Sequence, residues 1–212
     1  MVNTIIFDFD GVIVLSSKPR FDALQKSARR YGIEIEDSLF RDSIGRITVD
    51  FVKQYLPDLN GNTLEKILAD YQVNYKDKII DHTLPISFTN EFIRRYKGDS
   101  SLAIASTNNI ETLETILRHL GLYQHFKLIV GREHVSRHKP HPEIYLHTAK
   151  KLGVEPSTCI VIEDSPIGVL AANSAGMQVY GLLNGTNTRA DFDTVKVEGF
   201  FATLPDLEAL LG

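Results

Sequence analysis

Sulfur is scarce in this chain, with one cysteine and two methionines among 212 residues. A single thiol excludes any internal disulfide. Cys159 lies in the apolar run Cys159-Ile160-Val161-Ile162, where a small buried hydrophobe is the natural reading and a reactive thiol is not. Positive charge is not in excess either: 23 Lys and Arg face 27 Asp and Glu, a net charge of −4 that provides no basic field for nucleic acid or an anionic membrane. Long hydrophobic runs are missing. The one behind Met1-Val2-Asn3-Thr4 is interrupted by Asp8, and no cluster of positive charge precedes it, so neither a signal peptide nor a membrane span is expected. A cytoplasmic location follows as the expectation. The chain also has no internal repeats and no low-complexity segments.

What is present is an ordinary globular composition, 43% hydrophobic and 24% charged, long enough for one domain with an insertion or two small ones. The organising stretch is Thr4-Ile5-Ile6-Phe7-Asp8-Phe9-Asp10-Gly11-Val12-Ile13. Ile5, Ile6 and Phe7 form a short apolar run that Gly11 breaks, the pattern of a buried strand in a parallel sheet. Asp8 and Asp10 then stand at the carboxyl end of that strand, where open α/β sheets bind ligands. Their i, i+2 spacing puts both side chains on one side of an extended chain, able to share a cation or to divide nucleophile and acid/base roles. Taken alone, an Asp-Gly turn with a solvated acid fits the same four residues.

Further along, Phe21, Leu24, Ala28 and Tyr31 predict a helix over roughly 19–31. Two more helices follow, Val49 to Leu56, stopped by Pro57, and Thr63 to Lys78. From about 15 to 82 no convincing strand occurs, so an all-helical block is inserted after the first strand of an α/β unit. Leu84-Pro85-Ile86 marks the return, followed by a helix from Phe88 to Tyr96. Strands at 101–106, 127–130, 158–162 and 177–183 then alternate with helices at 109–120, 142–152 and 166–175. Last come a short run, Gly199 to Ala202, and a helix from Pro205 to Leu211. Residues 184–198 are polar and read as a loop. Repeated units of this length imply a parallel sheet covered on both faces by right-handed crossovers.

Three later segments carry chemistry. Ser106, Thr107, Asn108 and Asn109 follow a strand and open a helix, which suits a phosphate and equally suits a helix N-cap. Lys139 stands between His138 and Pro140, with Pro142 beyond, so a stiff loop carries it; it is either a cation for a phosphoryl group or a solvated loop lysine. Glu163 and Asp164 end the strand 158–162. Two acids there, near Asp8, call for a hard cation such as Mg²⁺, while acidic N-capping of the next helix explains one of them. The prolines spoil metal-ligand spacing among His134, His138 and His141, so zinc is not expected.

Asp8-Phe9-Asp10-Gly11-Val12-Ile13 resembles the first motif of the haloacid dehalogenase superfamily in its phosphotransferase form. Ser106 after Leu102-Ala103-Ile104-Ala105, Lys139-Pro140 with Pro142, and Glu163-Asp164 before Ser165-Pro166-Ile167-Gly168 resemble its second, third and fourth motifs in the required order. The resemblance spans residues 8 to 176. It implies an α/β fold with a Rossmann-like core over residues 1–14 and 84–212 and an α-helical cap over 15–83. It also implies a Mg²⁺-dependent phosphatase of a small phosphorylated metabolite. Asp8 would be the nucleophile and Asp10 the acid/base. Ser106, Thr107, Asn108 and Lys139 would bind phosphate, and Mg²⁺ would be held by Asp8, Asp10 and Glu163 or Asp164. The second acid of the Asp-x-Asp pair speaks against dehalogenation, and a monomer or weak dimer is expected.

Departures from the pattern bear on the cap. Leu15-Ser16 stands where such phosphatases usually carry Asp-Ser. The sugar-phosphate mutase branch, similar to β-phosphoglucomutase, is the alternative function. Arg20 stands where that branch has a hinge histidine, and Thr48 near its cap arginine. Gly45 matches the glycine of the cap's substrate loop, which makes Arg46 a candidate for a second anionic group or a plain surface residue. A receiver domain of signalling proteins also gathers acids, a Ser/Thr and a Lys, but it has no helical block after its first strand and no acids matching 163–164.

Overall fold

The computed structural model of the chain describes residues 2–76, 80 and 83–211, with Lys76 and Leu211 described in the main chain only. It divides into two compact units, Met1–Leu15 with Pro85–Gly212, and Ser16–Leu84. The strands are β1 Thr4–Phe7, β2 Val14–Leu15, β3 Leu84–Pro85, β4 Ser101–Ala105, β5 Leu128–Val130, β6 Cys159–Glu163, β7 Gln178–Leu182 and β8 Gly199–Phe201. The described helices are α1 Ser17–Arg29, α2 Phe40–Ser43, α3 Thr48–Tyr55, α4 Gly61–Lys76, α5 Ser87–Arg95, α6 Ile110–His119, α7 Glu143–Leu152, α8 Pro166–Ser174 and α9 Leu204–Leu211.

The first unit is built on a six-stranded sheet in the order β5-β4-β1-β6-β7-β8, parallel throughout. All four residues of β1 are buried, which is why its sequence is continuously apolar and does not alternate. One face carries Ile6, Ala103, Ala105, Val130, Val161 and Val179, against Ile144, Tyr145 and Ala149 of α7 and Val169, Ala171 and Ala172 of α8. On the other, the Phe7 ring lies 6.5 Å from Phe92 of α5 and meets Phe126 edge-on at 6.2 Å. Helices therefore cover both faces, the α/β architecture expected. Register pairs Phe7 with Ile104 on one side and Ile162 on the other, so the carboxyl ends of β4, β1 and β6 come out side by side. Cys159 is buried, and burial pushes its thiol up to about 11, consistent with an inert packing residue.

The second unit, residues 16–84, is helical with its own core of Phe21, Leu24, Ala28, Ile35, Phe51, Val52 and Ile67. Helix α1 begins two residues earlier than the apolar spacing indicates, because Pro19 is tolerated in a first helical turn. It stops at Arg29, and Gly32 follows with φ +73°. Helix α4 starts at Gly61, two residues before the expected Thr63, and runs to Lys76; the last residues expected of it, 77 and 78, lie outside the described residues. The stretch 184–198 is more than a loop: a 3-10 turn at Arg189–Phe192 buries Phe192, and Val195 and Val197 pack beside it. Leu15, expected to open the strand-free block, instead ends β2. Among the described residues no helix is long and apolar enough to cross a membrane.

Because Phe7 is fully buried at the middle of the sheet, Phe7→Ala should cost about 3–5 kcal/mol of stability, read by urea unfolding. A loss under about 1 kcal/mol would mean that this face is not a packed core.

Candidate active site

The chain leaves β1 in a tight loop. The Phe9 carbonyl accepts the N–H groups of Val12, Ile13 and Val14, and Gly11 N–H donates to the Val14 carbonyl at 2.6 Å. Gly11 has φ +78°, and a Cβ there would fall 1.7 Å from Asp164 Oδ2, so only glycine fits. Asp8 N–H donates to the Ile162 carbonyl, which extends the β1–β6 ladder to the first acid and brings Asp8 beside Glu163.

Into that junction reaches Lys139, from the loop after β5. Its ammonium donates to Asp8 Oδ1 at 2.6 Å and to Glu163 Oε1 at 2.7 Å, and its side chain is 1% exposed. A solvated loop lysine is thereby excluded. Burial alone would lower the Lys139 pKa, but attraction to Asp8 and Glu163 outweighs it and holds the pKa well above the usual lysine value. The ammonium also lies 4.9 Å from the centre of the Tyr145 ring, and the Tyr145 hydroxyl donates to Glu163 Oε1 at 3.0 Å. Glu163 Oε2 accepts from Asp164 N–H, Ser165 N–H and Ser165 Oγ at 2.9, 2.9 and 3.0 Å. Gly168 of α8 makes room for this carboxylate: a Cβ there would lie 1.6 Å from Glu163 Oε1.

At the end of β4, Ser106 Oγ accepts from Asn108 N–H at 3.2 Å, and the Asn108 side-chain amide donates to Asp10 Oδ2 at 2.8 Å. The capping role falls to Asn109, whose side chain accepts from Thr112 N–H, so Ser106 and Asn108 are not needed to cap α6. Thr107 is buried beside them and makes no side-chain hydrogen bond among the described residues. On the β6 side the cap of α8 is Ser165, accepting from Gly168 N–H, so neither Glu163 nor Asp164 serves as the N-cap.

Asp8, Glu163 and Asp164 are all buried, and each offers an oxygen within 4.8 Å of the others. The Asp10 side chain is outside this group. Proximity alone nominates all three for a cation, but their remaining capacity differs. Glu163 already accepts five hydrogen bonds, against about four lone-pair positions on a carboxylate. Among the described residues, Asp8 accepts from Lys139 alone, and the Asp164 carboxylate from Asn184 alone, at 2.9 Å. Open acceptor capacity is thus found on Asp8 and Asp164. Burial, opposed by Lys139 and reinforced by Glu163 and Asp10, raises Asp8 to about 7. Burial with Glu163 and Asp8 nearby raises Asp164 well above the usual carboxylate range. Two buried acids with open positions on carboxylate oxygens fit a hard divalent cation.

Within the helical unit, Arg20, Ser43, Arg46 and Thr48 line a recess together with Phe21, Leu24 and Phe51. Gly45 turns the chain there with φ +75°. Arg46 donates to the Asp42 carbonyl at 3.0 Å and to Gln54 Oε1 at 3.1 Å. The first unit thus gathers Asp8, Asp10, Ser106, Asn108, Lys139, Glu163 and Asp164, while Gly45 and Arg46 belong to the second. Tyr145 and Asn184 escape sequence reasoning, and Gly168 enters it only as the end of the fourth motif, with no role attached. Tyr145 sits at a core position of a helix, Gly168 reads as a weak point in one, and Asn184-Gly185 signals only a turn.

The chain matches the haloacid dehalogenase-like hydrolase family across residues 5–182 and belongs to that family. The phosphorylated carbohydrates phosphatase of Thermotoga maritima is 30% identical over 88% of this chain and 88% of its own length. The fructose-1-phosphate phosphatase YqaB of Escherichia coli is 27% identical over 82% of this chain and 92% of its own. Among solved structures, β-phosphoglucomutase of Clostridium difficile superposes with a TM-score of 0.81 at 24% identity, covering 99% of this chain and 96% of that one; this likeness speaks to the fold.

Alanine in place of a helical glycine ordinarily gains about 1 kcal/mol. At Gly168 the sign should reverse, because the colliding Glu163 carboxylate is held by five donors and has nowhere to move. Gly168→Ala is expected to lose at least about 2 kcal/mol in urea unfolding, the scale of two broken buried hydrogen bonds. A gain in stability would show that the carboxylate is loosely held.

Proposed function

We propose that the chain is a Mg²⁺-dependent phosphatase that hydrolyses a small phosphorylated metabolite, of the carbohydrate phosphate class, through a phosphorylated Asp8. The observation that carries this reading is the buried Lys139 bonded to Asp8, with Asp10 held by Asn108 at the next strand end. The relatives that act on phosphorylated sugars support the substrate class.

Asp8 attacks phosphorus, the bond to the ester oxygen breaks, and Asp10 gives that oxygen its proton. Asp10, now a carboxylate, takes a proton from water as the water attacks the phosphorus of the aspartyl phosphate. Inorganic phosphate leaves and Asp8 is restored. Lys139, Ser106, Thr107 and Asn108 hold the transferring group, whose charge is the main thing to stabilise. Asp8, Asp164 and the main-chain carbonyl of Asp10 would hold Mg²⁺, which when bound supplies positive charge to the phosphoryl oxygens and to the acids. Glu163 is assigned to hold Lys139, since its own oxygens are occupied. The helical unit is assigned the role of a cap that selects the substrate, with Gly45 and Arg46 reading the part beyond the phosphate. Hydrolysis is preferred over mutase transfer because Asp10 serves both half-reactions, and Arg20 and Thr48 do not match the groups that the mutase branch uses.

Assayed with Mg²⁺ against a panel of phosphorylated sugars, the protein should release inorganic phosphate. Asp8→Asn should reduce turnover at least a thousandfold, about 4 kcal/mol of transition-state stabilisation, with the fold retained. Activity within about tenfold of wild type would exclude the covalent route, and conversion of a hexose 1-phosphate to its 6-phosphate faster than phosphate release, followed by phosphorus NMR, would favour the mutase.

The raised acids add a pH dependence. Asp8 binds its proton up to about pH 7 when folded but only to about pH 4 when unfolded. Between those values the unfolded chain holds fewer protons, so the contribution of Asp8 to stability falls as pH rises. A cation that takes the proton's place recovers it. Mg²⁺ should therefore raise the melting temperature more at pH 8 than at pH 5, and equal increments at both would show that protons and cation do not compete.

A further inference from the structure

The loop after β7 begins Asn184-Gly185-Thr186-Asn187, and its side chains point back into the candidate site. Asn184 Oδ1 accepts from Thr186 N–H at 2.9 Å and from Thr186 Oγ1 at 2.6 Å. That is an ordinary asparagine turn, with Gly185 at φ +88° completing it. A turn needs only the side-chain carbonyl. Here the amide is also fully used: Nδ2 donates to the Gly11 carbonyl at 2.9 Å and to Asp164 Oδ2 at 2.9 Å. One side chain therefore ties together the loop after β1, the acid after β6 and the loop after β7.

Asn187 supports the same tie. Its Nδ2 donates to the Asp164 carbonyl at 2.7 Å and to the Leu182 carbonyl at 2.9 Å, and its Oδ1 accepts from Asn184 N–H at 3.2 Å. The main chain of Asp164 is thus fixed by one asparagine and its carboxylate by the other. Asp164 is 3% exposed, and Asn184 is the only donor to its carboxylate among the described residues. With Oδ2 held, Oδ1 is the oxygen left for a cation.

We infer that Asn184 is a positioning residue for the divalent cation: it orients the Asp164 carboxylate and the Gly11 carbonyl so that the acid presents one fixed oxygen. This rests on the reading of Asp8 and Asp164 as cation ligands. Residues that hold a ligand in place in this way typically contribute 10- to 100-fold to metal affinity.

The test titrates the full-length protein with Mg²⁺ while following melting temperature without substrate, and separately follows turnover. Asn184→Ser is the variant of choice, because the serine hydroxyl can still accept from Thr186 N–H and keep the turn but cannot reach Asp164. Half-saturation by Mg²⁺ should rise about tenfold in both readouts, and turnover at saturating Mg²⁺ should return to within about threefold of wild type. Asn184→Ala should behave alike. Half-saturation within twofold of wild type, or a loss of turnover that Mg²⁺ does not restore, overturns the proposal. So does loss of the folded state in both variants, which would make Asn184 a turn residue only. A wild-type protein that Mg²⁺ does not stabilise and that turns over in chelator overturns the cation reading itself, a result visible before any variant is made.

Discussion

One ammonium group holds the junction of β1 and β6. Lys139 stands between Asp8 and Glu163, with almost no access to water, and its positive charge is bonded to both buried carboxylates. Taking one cation and several acids out of water is costly, and the attraction between them repays it only when the remaining donors and acceptors are satisfied. Glu163 is satisfied completely, by main-chain N–H groups, a serine and a tyrosine. Asp8 and Asp164 are not. The difference in satisfaction separates Glu163, whose oxygens are fully bonded, from Asp8 and Asp164, which keep open acceptor positions, although all three are buried and close together.

The division follows from where each acid sits. Glu163 is the last residue of β6, still within the ladder, and its side chain turns back over the start of α8 into a space that Gly168 leaves open. Asp8 and Asp164 are one residue past their strands, where the chain turns. A site at the edge of a parallel sheet thus acquires two kinds of acid from the same sequence pattern, according to whether the residue closes the strand or opens the loop.

Much of this was legible in the residues themselves. A strand buried on both faces must be apolar without interruption, so Ile5-Ile6-Phe7 and Cys159-Ile160-Val161-Ile162 declare themselves, and polar residues just beyond them mark the ligand-binding edge. Lys139 is marked by the prolines around it. The tie from Asn184 to Gly11 spans 173 positions and that from Tyr145 to Glu163 spans 18, and no local pattern records either distance. Phe192 shows the same limit: a lone aromatic in a polar stretch gives no periodicity, yet it is buried against the sheet. The helix ends shifted by a residue or two because caps and first-turn prolines, not the apolar stripe, set them.

The order of strands in the sheet carries a consequence for how such a chain is made. β1 comes first in the sequence but pairs on both edges with strands that come later, β4 from residue 101 and β6 from residue 159. As the ribosome extends the chain, Ile5, Ile6 and Phe7 wait through more than 150 residues of synthesis before their second neighbour exists, with their hydrogen-bonding edges open. The helical unit, complete by residue 84, can fold in that interval. Asp8 and Lys139, 131 positions apart, meet only when the sheet closes, so this ion pair is assembled last, by the same event that buries it.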